Sequence, residues 1–304
     1  MSVILVKPVT ITDAMLTATD VAEADYAAYN AGTAYALGDR VIVTSAGVHK
    51  VYESLQASNT GNDPTLAANA AWWIEVGPTN RWKLLDTSHS TQTAQASSMY
   101  YTLTPGQVVN AVAALNVVAD SVRIRMTDPT DGVVYDQTTT LAGVIPDATW
   151  YDYFFGATSP SDQVITLDLP PYAAAEIRVD FAAASGDVSC GVLLLGYQTT
   201  LADGIAYGAR AGIQDYSRKE TNTWGDTVLA QRAYAKRAEW ALRVANAQID
   251  AVQRQLVAVR ATPCLWIGSE LYAITSVFGF YKDFDITISY PTWSDCSLTI
   301  EGMT

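Results

Sequence analysis

The chain has 304 residues, 49% of them apolar, and a formal net charge of −13. That length supports two or three domains, with enough apolar material for sizeable cores. The acidic excess repels phosphate backbones and anionic surfaces, so nucleic acid is not an expected partner. No run reaches the roughly 18 apolar residues of a membrane span.

Residues 1–24 read as an extended N-terminal arm. Val3-Ile4-Leu5-Val6 predicts a strand stopped by Pro8, pairing within its own domain or with a neighbouring subunit. The start lacks a basic segment followed by a long apolar core, so no secretory signal is expected and folding in the cytoplasm is.

Residues 25–86 form a small module rich in Gly, Asn, Asp and aromatics, with strands expected at Arg40–Thr44, Val48–Ser54 and Trp73–Val76. Trp72 and Trp73 are consecutive, so on a strand one faces the core and the other outward. Tyr35, Tyr52 and one of the two Trp are the candidates for a flat sugar-binding platform, where C–H groups of a pyranose pack on rings. A purely packing role for the same rings is the competing reading.

The ordered set Tyr35, Gly38-Asp39-Arg40-Val41, Tyr52-Glu53-Ser54, Pro64 and Trp72-Trp73 resembles the small carbohydrate-binding modules of chitinases. The continuation Val76-Gly77-Pro78-Thr79-Asn80-Arg81-Trp82 is similar to a version of that module in bacteriophage tail proteins. The resemblance implies a bacterial surface glycan as ligand.

Residues 87–200 read as an all-β domain. Val122–Met126 alternates, and Asp128-Pro129-Thr130-Asp131-Gly132 is a turn leading into Val133–Asp136. Val164–Leu169, Ile177–Phe181 and Val188–Tyr197 are further strands. This spacing predicts a β-sandwich, loosely similar to jelly-roll carbohydrate-binding domains. Trp150 and Tyr151 open an aromatic cluster too dense to bury whole, and form a second glycan-binding candidate.

Residues 201–304 read as an α+β unit. Asp215–Asp226 predicts a polar hairpin. Val228–Val244 fits helix by its Ala content and strand by its alternation. Ile249, Val252, Leu256 and Val259 predict one amphipathic helix over Asn246–Arg260, stopped by Pro263. Strands are expected at Cys264–Ile267, Leu271–Val277, Phe284–Ser289 and Leu298–Gly302. Arg232, Lys236, Arg237 and Arg260 gather positive charge in an acidic chain, either as a solvated face or as an assembly surface.

The runs Asp215–Glu220, Arg232–Arg237, Leu256–Trp266, Gly279–Phe284 and Leu298–Gly302 resemble the C-terminal part of tail proteins of tailed phages. That resemblance favours strand for Val228–Val244. It implies a virion tail component, assembled in the host bacterial cytoplasm with other tail subunits, in a homo-oligomeric ring.

Chemistry is sparse in this sequence. His89 reads as a solvated linker residue and His49 as an exposed strand residue, so neither suggests a triad or a metal site. Asp147 with Asp152, or Asp162 with Asp168, are the pairs a glycosidase would need, with nothing to fix their separation. There is no phosphate-binding Gly-Lys-Ser/Thr loop. Cys190, Cys264 and Cys296 are far apart and read as buried small hydrophobes. The expectation is a mainly β, non-enzymatic tail-tip or baseplate protein without cofactor or metal, binding glycan. A purely structural tail protein and a polysaccharide-degrading one are the alternatives.

Overall fold

A computed structural model describes residues 2–45, 47–141, 150, 160–221, 223–269 and 271–304. The chain is mainly β, with one α-helix among the described residues. In chain order the strands are β1 (Val3–Pro8), β2 (Leu16–Thr19), β3 (Arg40–Val43), β4 (Lys50–Ser54), β5 (Trp73–Pro78) and β6 (Thr93–Leu103). There follow β7 (Ala111–Val118), β8 (Ser121–Asp128), β9 (Gly132–Thr140), β10 (Gln163–Thr166) and β11 (Glu176–Ala202). The last part holds β12 (Arg210–Asp215), β13 (Arg218–Thr221), β14 (Thr227–Ala230), β15 (Tyr234–Ala245), helix α1 (Ile249–Ala258), β16 (Cys264–Ile267), β17 (Ser276–Thr287) and β18 (Trp293–Gly302).

Strands β3, β4 and β5 make a separate three-stranded sheet, and β13 and β14 a two-stranded one. All the others join in one antiparallel sheet of 13 strands. Its spine is β11, 27 residues long, which merges the two strands expected at Ile177–Phe181 and Val188–Tyr197. Its first part lies between β6 and β8, and its second pairs with β7. Its end runs beside β1, with Ile4 opposite Thr200. The position expected to divide the central and C-terminal units is therefore inside a strand. A register shift between Ala182 and Asp187 breaks the ladder with β6, and Gly186 there adopts φ +84°. Such a bulge bends a strand without ending it.

The short strand β1 lies between β11 and β16. Side chains alternate across a sheet. Val3 and Leu5 enter the core built on β15–β18 and α1, while Ile4 and Val6 enter the opposite core with residues of β7 and β11. Burial on both faces explains the unbroken apolar run. The arm is thus an inner strand of its own chain.

Val228–Val244 is extended, in β14 and β15. Helix α1 buries Val252 and Leu256 as its periodicity predicts. Leu271–Val277, expected as a strand, is a short helical turn at Ala273–Thr275 leading into β17. Trp266 is fully buried, and its Nε1 donates to Gly279 O at 2.9 Å.

All three cysteines are free and buried. Burial pushes the thiol pKa of Cys190 and of Cys264 up to about 12, and that of Cys296 up to about 11. The thiolate is the reactive form. An aromatic disulfide reagent at pH 8 should therefore detect almost no thiol in the folded protein and three after denaturation. Rapid reaction of one thiol in the folded state would contradict this packing.

Candidate ligand-binding cleft beside the N-terminal module

The motif that carries the module resemblance builds a scaffold. Gly38, at φ +85°, makes the turn before β3, and the Asp39 carboxylate accepts from Ala36 N at 2.7 Å. The rings then pack inward. Tyr35, Tyr52 and Trp73 are only 8%, 7% and 4% exposed and form the module core with Val41 and Val43. Tyr35 meets Trp73 edge-on with centroids 5.2 Å apart, and Trp73 Nε1 donates to Asn62 O at 2.8 Å.

The expected platform of Tyr35, Tyr52 and one of Trp72 and Trp73 is therefore corrected: Tyr35, Tyr52 and Trp73 are core. A sheet this small has few aliphatic side chains to enclose, and aromatic rings supply the missing volume. Trp72 is the partly exposed member of the adjacent pair, packed against the edge of that core. Trp150 is exposed, while Tyr151, Asp147 and Asp152 lie outside the described residues.

An open cleft of about 740 Å³ lies where the module meets the lead-in segment and the following linker. Its walls include Asp13, His49, Lys50, Glu75, Trp82 and Asp86. His49 follows a turn closed by Val48 N donating to Ser45 O, and adopts φ +47°. Its ring stacks on Trp82, centroids 4.3 Å apart. Its Nδ1 lies 2.8 Å from Glu23 Oε1, and its Nε2 lies 2.9 Å from Asp13 Oδ2, out of line for a hydrogen bond. The expectation of an exposed His49 is corrected, because the lead-in folds over it.

Glu23 is nearly buried and well supported. Its Oε1 accepts from Thr79 Oγ1 at 2.7 Å, and Arg81 Nη1 stands 3.7 Å from Oε2. At the rim Lys50 Nζ and Glu75 Oε2 are 2.8 Å apart, both well exposed. Burial raises the Asp86 pKa, opposed by a 2.7 Å hydrogen bond from Ser88 N. Carboxylates face both nitrogens of His49, so neither nitrogen is directed at a nucleophile as a general base requires. The wall instead offers rings and apolar surface with carboxylates and an ammonium at the edge. That composition suits a polyhydroxylated ligand.

The other candidates are dispersed. His89 is not a solvated linker residue but lines a cavity of about 20 Å³ with Asp162, Lys236 and Phe278. Burial lowers its pKa, with Lys236 adding to the effect. Asp168 accepts from the Tyr135 hydroxyl at 3.2 Å. Lys236 and Arg237 are neighbours on β15 and face opposite ways; Arg237 pairs with Glu239. Arg260 Nε donates to Val257 O at 3.0 Å, and Arg232 is exposed between β14 and β15. These four cations do not form one patch. Among the described residues, no group of His, Cys, Asp and Glu is arranged to hold a metal, and no helix is long and apolar enough to cross a membrane.

No protein-family model matches this chain, and no curated protein matches it in sequence.

Proposed function

We propose that this chain is a structural component of a bacteriophage tail tip or baseplate, repeated around the tail axis, whose N-terminal module presents a weak site for host surface glycan. The resemblances in residues 29–86 and 215–302 support the tail assignment. The cleft between Asp13, Trp82 and the Lys50–Glu75 pair carries the ligand assignment. Repetition supplies avidity that one shallow site lacks.

One observation favours a second reading, a tail protein without ligand. Tyr35, Tyr52 and Trp73 are used as core, so the module resemblance is satisfied by scaffold alone. Such scaffolds persist without their original ligand.

A gold-labelled antibody against the chain should decorate the tail ends of virions. Titration of the protein with fragments of bacterial surface polysaccharide should give saturable NMR shifts near the cleft. The double variant Lys50→Ala, Asp86→Asn should weaken binding about tenfold, a loss of about 1.4 kcal/mol. Lys50 is well exposed, and Asn at position 86 keeps an oxygen to accept from Ser88 N, so folding should persist. A flat titration with every fragment leaves the ligand-free reading, and unlabelled tails remove the tail assignment.

A further inference from the structure

A second concave surface lies where the large sheet ends at its short strand β10. It is an open trough of about 940 Å³. Ligand sites commonly measure roughly 300–1,000 Å³. The trough crosses β11, β1 and β16, where Ile4 stands opposite Thr200 on one side and Ile267 on the other. Its apolar lining includes Ile4 and Ile267 from the core beneath, with Ile165 and Leu167 packed against that core. No lining residue is basic or aromatic. Asp168 is the one charged side chain among them, and the other polar ones are all hydroxyls and amides.

Several of these side chains are held by the protein through one polar atom and keep a second one unused. Gln198 N donates to Asn110 Oδ1 at 2.7 Å, which fixes that amide and leaves Asn110 Nδ2. Gln198 Nε2 donates to Leu167 O at 2.7 Å and leaves Oε1. The Tyr135 hydroxyl stands against Gln137 Oε1 and Asp168 Oδ1, and leaves Gln137 Nε2 and Asp168 Oδ2. Amide donors and acceptor oxygens are thus set around the trough on separate elements. Orientation before binding removes part of the entropy cost of binding.

These features select the ligand. A hydroxyl both donates and accepts, so a neutral polyhydroxylated molecule uses the nitrogens and the oxygens alike. A phosphate or carboxylate group only accepts. It would meet Asp168 in a chain of net charge −13, with no cation in the trough to offset the repulsion. An extended peptide needs a free strand edge. The outer edge of β10 is occupied by side chains: Gln163 O accepts from Ser161 Oγ at 3.0 Å, and just beyond the strand Leu167 O accepts from Gln198.

We infer that this trough is a binding site for a neutral oligosaccharide, separate from the cleft beside the module. Its aliphatic floor takes the C–H faces of the sugar rings, and Asn110, Gln137, Asp168 and Gln198 take the hydroxyls. The inference needs neither the tail assignment nor the first cleft.

NMR titration of the isotope-labelled full chain with tetrasaccharides of glucose, mannose and N-acetylglucosamine tests it. At least one should give saturable shifts of the Asn110 and Gln137 side-chain amides. A tetrasaccharide of galacturonic acid should shift neither. Gln137→Ala with Asp168→Ala should weaken binding at least about tenfold. Both side chains are exposed, so melting should match wild type. Thr200→Trp, at another exposed position, should obstruct the trough and weaken binding as much. The Lys50→Ala, Asp86→Asn protein should bind as wild type does, which tells loss of the first cleft from loss of this site. Silence of both amides with every neutral tetrasaccharide, equal shifts with the acidic one, or binding that neither trough variant weakens overturns the inference. Shifts with an alternating Ile-Thr peptide and with no sugar would overturn it in favour of strand docking.

Discussion

Removing residues 2–8 should abolish folding. The segment supplies Val3, Ile4, Leu5 and Val6, each no more than 7% exposed, to two cores at once. Burial of each such side chain contributes about 1.5–3 kcal/mol, so the deletion costs roughly 6–12 kcal/mol. That is comparable with the whole stability of an ordinary domain, about 5–15 kcal/mol. The loss also leaves β11 and β16 without the strand that pairs with both. The expected result is insoluble protein or a chain without a cooperative melting transition. A truncated chain that melts cooperatively near the wild-type temperature would refute this role for β1. For the same reason a fragment starting at residue 201 should not fold alone, since it lacks Val3 and Leu5 and divides the β11 ladder.

Gly279→Ala should be the most damaging single methyl addition in the C-terminal core. A Cβ at Gly279 would lie 2.1 Å from Glu301 O and 2.6 Å from Gly302 Cα. Both are backbone atoms in the β17–β18 ladder, and neither can turn away as a side chain would. Overpacking ordinarily costs about 1–3 kcal/mol, and an obstacle made of backbone belongs at or above the upper end. The same movement would disturb the hydrogen bond from Trp266 Nε1 to Gly279 O. Gly212→Ala is the control, since nothing lies within 4 Å of its Cβ position. Urea unfolding should move to a markedly lower midpoint for the first variant and hardly move for the second. Equal midpoints would mean that the two strands separate more easily than their register implies.

The sequence makes element type legible where one face is buried. Ile177–Phe181 and Val122–Met126 alternate because every second side chain enters the central core. Helix α1 is legible from the spacing of Ile249, Val252 and Leu256. The continuity of β11 is hidden, because Ala182-Ala183-Ala184-Ser185-Gly186 reads as a break and is instead a bulge within one strand. Aromatic identity in the module is legible and aromatic direction is not. Tyr35 and Trp73 look like ligand rings until the small sheet is seen to need them as its core.

The cleft is the least legible part. Asp13, Glu23, His49 and Trp82 are separated by long stretches of chain and meet only when the lead-in folds over the module. No local pattern marks Asp13 or Glu23. Trp82 carried a hint, as the last residue of the module motif.

The placement of β1 also sets a timetable for synthesis. Its two neighbours end at Ala202 and Ile267, so β1 has no complete berth until about 260 further residues have been made. At ribosomal speeds of about 5–20 residues per second that interval is on the order of tens of seconds. Throughout it, a bare Val-Ile-Leu-Val segment waits beside the ribosome, a ready substrate for chaperones or for pairing with another nascent chain. Yield in a host should therefore respond to chaperone supply more than the stability of the finished fold suggests.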